Sequence, residues 1–335
     1  MPFRHWRRMA LKYQKRNHIF KSKNVIELNT ALSMQKRNRL PEFIFFGNYF
    51  YGICAVALSI EATLQQRFPL NSLAYFFLVF ISTVLYYTYP YVRKCSFIST
   101  NARTNWYTRN YNLSRRTQTG ITIILIVSLV FFFINYWQAI LNMSTQQWLI
   151  VLIFPVVAAF YYGINLFSAK YNLRKIGWLK PFIIGFIWAG LVTVYPVLFY
   201  CIVKSRQFEV TTTGSLLFLK NFMFITLLCI MFDVKDYASD YINRLKTFVV
   251  KIGLRKTIFY ILLPLTLLGL GSFIFYAGMH HFSLPKVLLN TIPFVLLAVT
   301  AFSLSRRRPI MYYLIVIDGL MLVKALCGTI AILYF

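Results

Sequence analysis

Three of the chain's four aspartates, Asp233, Asp236 and Asp240, fall within eight residues of one another, in the stretch F-D-V-K-D-Y-A-S-D-Y-I-N-R-L-K-T-F-V-V-K-I-G. At about 100° per residue, positions i, i+3 and i+7 lie within about 60° of each other on a helix, so the three carboxylates share one face. Carboxylates gathered in this way suit a hard cation. Mg²⁺ takes one or two of them and completes its shell with water and phosphate oxygens. The pattern therefore points to Mg²⁺ and to a ligand carrying a diphosphate. The competing reading is an acidic patch pairing with Lys235, Arg244 and Lys246, which contributes little at a wet interface. Concentration argues against it, because the other basic stretches hold only Glu27 before Glu42 opens the first predicted helix.

Other chemistries lack their residues. Cys54, Cys95, Cys201, Cys229 and Cys327 are odd in number and scattered singly, which excludes a disulfide framework or a paired-cysteine zinc site. His5, His18, His280 and His281 have no acid at ligand spacing. No phosphate-binding G-x-x-x-x-G-K-[ST], no G-x-S-x-G and no H-E-x-x-H occurs, so the usual marks of nucleotide hydrolysis, triad chemistry and zinc proteolysis are missing.

The elements that must carry the aspartates are membrane helices. Of 335 residues, 59% are hydrophobic and 13% charged, and only eight are acidic, an apolar excess that needs lipid to cover it. Nine nearly uncharged stretches are long enough for a hydrocarbon core about 30 Å thick. They run at about 43–62, 72–91, 120–140, 147–167, 181–203, 214–232, 257–278, 286–304 and 309–334. Their length and their Leu, Ile and Phe content predict helix, since a barrel strand is about ten residues of alternating polarity. The predicted fold is thus an all-α polytopic bundle at 42–335, preceded by a basic tail at 1–41.

Cations set the orientation. The tail and the connections after predicted helices two, four, six and eight hold 11, 6, 4, 6 and 3 of the 36 Lys and Arg residues. Short connections rich in Lys and Arg stay cytoplasmic. The N-terminus is expected inside and Phe335 outside, in a membrane of bacterial inner-membrane type. The net charge of +28 then needs no nucleic acid. Arg4, Arg7, Arg8, Lys12, Lys15, Arg16, Lys21 and Lys23 suit anionic lipid headgroups, at about 1 kcal/mol per cation near the surface.

Few polar residues enter the spans. Glu61 lies near a helix end, while Lys220, Asp318 and Lys324 approach the bilayer interior. Asp318 and Lys324 are six residues, about 240°, apart on one helix and do not share a face. Each is expected to meet a neighbour or to snorkel. Asn48 either lines a cavity or bonds another helix.

The run D-V-K-D-Y-A-S-D-Y, then K-T-F-V-V-K-I-G, resembles the second aspartate-rich motif of the UbiA superfamily of intramembrane prenyltransferases, approximately D-x-x-D-x-x-x-D-R followed by [KR]-T-x-x-V-x-x-G. Y-N-L-R-K-I-G-W-L-K-P-F-I-I-G-F-I-W-A, Tyr171 to Ala189, resembles that family's connection between helices four and five. The likeness covers residues 42–335. It implies a lipid-open central cavity whose cytoplasmic mouth binds an isoprenyl diphosphate through Mg²⁺, with a lipophilic acceptor attacking the prenyl carbon. Asp233, Asp236 and Asp240 are the implied metal ligands. Arg93, Lys94, Arg103, Arg174, Lys175 and Lys246 are the cations placed to bind diphosphate, and Asn48 is the candidate cavity residue.

The chain departs from the family in one half of the expected site. Where a first motif such as N-D-x-x-D is usual, it reads Y-Y-T-Y-P-Y-V-R-K-C, then S-T-N-A-R-T-N-W-Y-T-R-N, with no acid. Tyr241 stands where Arg is common, and Asn243 where Gly is. Loss of one motif implies loss of one metal, and Arg93, Lys94 and Arg103 are the cations available to replace it. Two readings follow: a prenyltransferase-like enzyme, or a non-catalytic subunit of the same fold that binds lipid or a partner.

Overall fold

The computed structural model describes residues 39–93, 102–162, 177–242 and 245–335, and every regular element among them is a helix. By compactness the chain divides into Met1–Phe43 and Ile44–Phe335, and the account below concerns the second unit. In chain order, α1 is Arg39–Phe46, α2 Tyr49–Gln65, α3 Leu73–Arg93, α4 Ala102–Arg109, α5 Tyr111–Leu141 and α6 Thr145–Tyr162. There follow α7 Lys180–Val203, α8 Thr212–Ile242, α9 Phe248–Ile252, α10 Leu254–Met279, α11 Leu284–Ser303 and α12 Ile310–Tyr334.

Among the described residues seven helices are long and apolar enough to cross a membrane: α3, α5, α7, α8, α10, α11 and α12. Each coincides with a predicted span. The other two predicted spans take different forms. The first is the pair α1 and α2, bent by 62° at a break where Asn48 adopts φ 66°. The fourth is α6, a shorter apolar helix that carries Pro155.

The surface is apolar where lipid would lie. On α5 only 6% of the spanning window is buried, and Ile123, Val127, Val130, Phe131 and Ile134 are exposed on its sides. A helix that is apolar all round without being buried in protein needs a hydrocarbon solvent. By contrast, α7 and α8 bury 56% and 50% of their windows, and they form the most extensive helix pair, followed by α2 with α12. Leu58, Val192, Ile230, Met231, Leu297 and Ile317 fill the core between these helices. This central group of α2, α7, α8 and α12 positions the polar residues described next.

Candidate functional site

Helix α8 runs on past its apolar stretch to Ile242, so all three aspartates lie on one helix and the face argument applies to them. Asp233 is fully buried and Asp240 nearly so. Asp236, on the flank between them, is 37% exposed and pairs with its neighbour Lys235 at 2.7 Å. Across the α7–α8 contact, Lys180 in the first turn of α7 places Nζ 2.7 Å from Asp233 Oδ1. The second carboxylate oxygens, Asp233 Oδ2 and Asp240 Oδ2, are buried and accept no hydrogen bond among the described residues. Burial pushes the Asp240 carboxyl up to about 6, with Lys180 opposing and the Asp233 and Asp236 charges adding to the rise.

The T-x-x-V-x-x-G spacing after the aspartates has a structural cause. Thr247 caps α9, its hydroxyl accepting from the Val250 amide at 3.4 Å. Gly253 ends α9 at φ 91°, a conformation that side-chain-bearing residues avoid. Gly177, just before α7, packs on this segment so tightly that a Cβ would lie 2.7 Å from Lys246 C and Thr247 N. The two connections that carry the family resemblance therefore meet. Lys246 itself is exposed at this contact.

A second polar group lies at the same end of the bundle. Asn48 is buried, its amide donating to Thr88 Oγ1 at 3.2 Å and to Tyr107 Oη at 3.1 Å, while its carbonyl oxygen accepts from Arg103. Arg103 on α4 is buried too, and it also donates to the Phe46 carbonyl at 3.4 Å. Its guanidinium stands 4.8 Å from the Tyr91 ring centre and 6.0 Å from that of Tyr51. Tyr51 in turn donates to buried Asp318, which also faces Arg103 and Lys235 at longer range. Asp318 follows a π-helical turn, Tyr313–Ile317, that closes on its own amide through Tyr313 O at 3.2 Å. Arg93 closes α3; its side chain, together with Lys94, Arg174 and Lys175, lies outside the described residues.

Below this polar layer the walls turn aromatic. Tyr51 stacks on Tyr87 at 4.5 Å, and Tyr87 accepts a 2.6 Å hydrogen bond from Trp188 Nε1. Tyr87 and Trp188 line an apolar cavity of about 200 Å³ between α3, α6 and α7, with Tyr86, Phe154, Ile187 and Tyr195. Asn48, expected either to line a cavity or to bond another helix, spends its side chain on α3 and α4 and is not among that cavity's lining residues.

A further charged pair lies deeper in the bundle. Lys324 of α12 bonds Glu61 of α2 at 2.7 Å, both almost wholly buried, so Lys324 meets a neighbour rather than snorkelling. Glu61 is about 18 Å along α2 from Tyr49, at 1.5 Å per residue. The Lys220 ammonium stands 5.7 Å from the Phe273 ring centre.

Mg²⁺, which the resemblance implies, has a chemically apt but incomplete set of protein donors. Asp233 Oδ2 and Asp240 Oδ2 are each buried without a partner on one face of α8, about 10 Å apart along its axis, so each offers a hard cation a single carboxylate and the remaining ligands would come from water and phosphate. Among the described residues no three or more His, Cys, Asp or Glu side chains gather within reach of a single ion. The sequence reading missed Lys180, counted there only as a topology charge, and left Asp318 and Glu61 without partners. No periodic signal marks any of these three. Comparison adds no relative, since no protein-family model, curated protein or solved structure matches the chain.

Proposed function

We propose that the chain is a UbiA-like membrane prenyltransferase, transferring a prenyl group from an isoprenyl diphosphate to a lipophilic acceptor. The observation that carries this reading is the pair of buried, unspent carboxylate oxygens on Asp233 and Asp240, at the polar end of a bundle whose next layer is aromatic. In the proposed topology the bent pair and α6 complete nine crossings. The N-terminus lies in the cytoplasm, Phe335 lies outside, and the membrane is a bacterial inner one. The basic tail rests on anionic headgroups.

In this reading Asp233, Asp236 and Asp240 would hold Mg²⁺ at the mouth, and Lys246 and the other cations of the two motif-bearing connections would attract the diphosphate, while Arg103 stays with Asn48 and the Phe46 carbonyl. Bound Mg²⁺ supplies Lewis-acid neutralisation of the departing diphosphate. The carbon–oxygen bond to that group breaks, and the acceptor's nucleophilic atom bonds the prenyl carbon and loses its proton to water. Tyr51, Tyr87 and Trp188 present π faces that stabilise allylic positive charge, at about 0.5–2 kcal/mol each. The apolar wall beneath them keeps water from the chain of the donor.

One observation favours the alternative, a non-catalytic lipid-binding or partner subunit: Asp233 already carries a cation of the protein's own. Binding separates the two. Purified protein should bind isoprenyl diphosphates with Mg²⁺-dependent affinity, and Asp236→Asn should lower it by about tenfold through loss of a ligand charge. Binding that is indifferent to Mg²⁺ across several chain lengths at fixed salt would decide for the alternative.

A further inference from the structure

The aspartate site contains an ammonium that its own helix does not supply. Lys235 is the expected partner by sequence, and it pairs outward with half-exposed Asp236. Lys180 comes from 53 residues away and bonds the one aspartate that has no exposure at all. Its stem is held in the most extensively packed helix pair of the molecule, yet its side chain remains 25% exposed. One end of the pair is therefore buried in protein while the other is partly exposed. An ammonium has three donors. Among the described residues Lys180 spends one, on Asp233 Oδ1, which leaves two N–H groups next to a carboxylate whose second oxygen, Asp233 Oδ2, accepts nothing.

The charges then balance in an unusual way. Three carboxylates face two lysines at this end of α8, and the ammonium of Lys180 occupies one oxygen of Asp233 that a metal ion would otherwise take. The connection after α3 offers no carboxylate for a second ion, since its sequence holds no acid. Lysine binds phosphate as a compact point charge and needs no metal to do so. We propose that Lys180 is a built-in cation of this site: it takes the place of one divalent ion, bridging Asp233 to the donor's diphosphate, so that each diphosphate is held by one metal and one ammonium. This deepens the prenyltransferase reading and rests on it.

The test uses the full chain in detergent, with Mn²⁺ followed by electron paramagnetic resonance and a non-ionising thio-analogue of an isoprenyl diphosphate. The native chain should take one Mn²⁺ per analogue and retain measurable analogue binding in EDTA. Lys180→Arg should keep both properties. Lys180→Met should lose the EDTA-resistant binding and bind Mn²⁺ about tenfold tighter or take a second ion, because a unit charge in contact with Asp233 is gone. Unchanged Mn²⁺ stoichiometry, Mn²⁺ affinity and EDTA-resistant binding in Lys180→Met would reduce Lys180 to a neutraliser of Asp233 and overturn the proposal. Since that variant strands a buried carboxylate, the comparison is repeated on a neutral background. Asp233→Asn should keep EDTA-resistant binding, and Asp233→Asn with Lys180→Met should lose it; equal binding by the two overturns the proposal. A native chain that binds neither Mn²⁺ nor the analogue would instead overturn the prenyltransferase reading itself.

Discussion

Among the described residues two interhelical ion pairs of the same length, 2.7 Å, cross this bundle, and they are built to different ends. Glu61–Lys324 is closed. Both side chains are within 4% of complete burial, Glu61 Oε2 takes Lys324, Glu61 Oε1 takes Gln65 at 2.9 Å, and the lysine lies 5.8 Å from the Phe224 ring centre. Lys180–Asp233 is open. One carboxylate oxygen is spent and the other is not, two more carboxylates stand along the same helix, and the lysine reaches the surface. A buried charge is tolerated only when paired and hydrogen-bonded. The closed pair meets that condition within the protein and clamps α2 to α12, whereas the open pair meets it in part and leaves acceptor capacity for a cation from outside.

The contrast is sharpest in stability. Lys324→Met should destabilise the detergent-solubilised fold by about 3–5 kcal/mol, because it leaves Glu61 charged, buried and alone. Adding Glu61→Leu to that variant should recover most of the loss. Asp233→Asn keeps an acceptor for Lys180 and leaves its ammonium in reach of water, so it should cost only about 1 kcal/mol. Thermal unfolding of the variants side by side checks both, and equal losses at the two pairs would abolish the distinction drawn between them.

A smaller effect should appear on changing pH. The Asp240 carboxyl sits at about 6 in the fold against an ordinary 3.8. Its folded value is raised, so its favourable contribution is fully present below about 3.8 and is lost as pH rises through about 6. Stability should therefore climb as pH falls from about 7.5 toward about 5. Asp240→Asn should remove this dependence, leaving a variant more stable than the native chain at the upper end and no different near pH 4. A native profile with the same slope as the variant's would show that burial does not oppose the Asp240 charge.

The smallest effect belongs to the outward pair. Asp236→Asn should change stability by less than about 0.5 kcal/mol, since Lys235 and Asp236 are neighbours on one helix and both have solvent. Any loss of Mg²⁺-dependent donor binding in that variant is then a property of the site and not of the fold. A cost approaching that of Lys324→Met would place Asp236 among the residues that hold the bundle.

Legibility in the sequence followed the range of the interaction. The common face of Asp233 and Asp240 was readable because it depends only on helical pitch, and the helix does continue through them. The T-x-x-V-x-x-G spacing was readable as a pattern, but its cause, a threonine cap and a glycine at φ 91°, appears only with the backbone. The first span was legible as an apolar stretch, yet its 62° bend was not, because the bend is set at Asn48, whose left-handed backbone and side-chain bonds to Thr88, Tyr107 and Arg103 are tertiary facts. Arg103, expected as a diphosphate cation on the connection after helix two, is buried against Asn48 and the Phe46 carbonyl.

By itself the sequence determined the solvent and the local order: apolar stretches long enough for hydrocarbon, cations segregated to alternate connections, and carboxylates gathered on one helical face. These are sums over neighbouring residues, and hydropathy, charge and pitch are additive along a chain. Tertiary structure alone decided which charges meet. Lys180 finds Asp233 across 53 residues and Lys324 finds Glu61 across 263, through the packing of α7 on α8 and of α12 on α2. Such meetings depend on the rotation and register of one helix against another, which side-chain packing fixes and which no periodicity within either helix records.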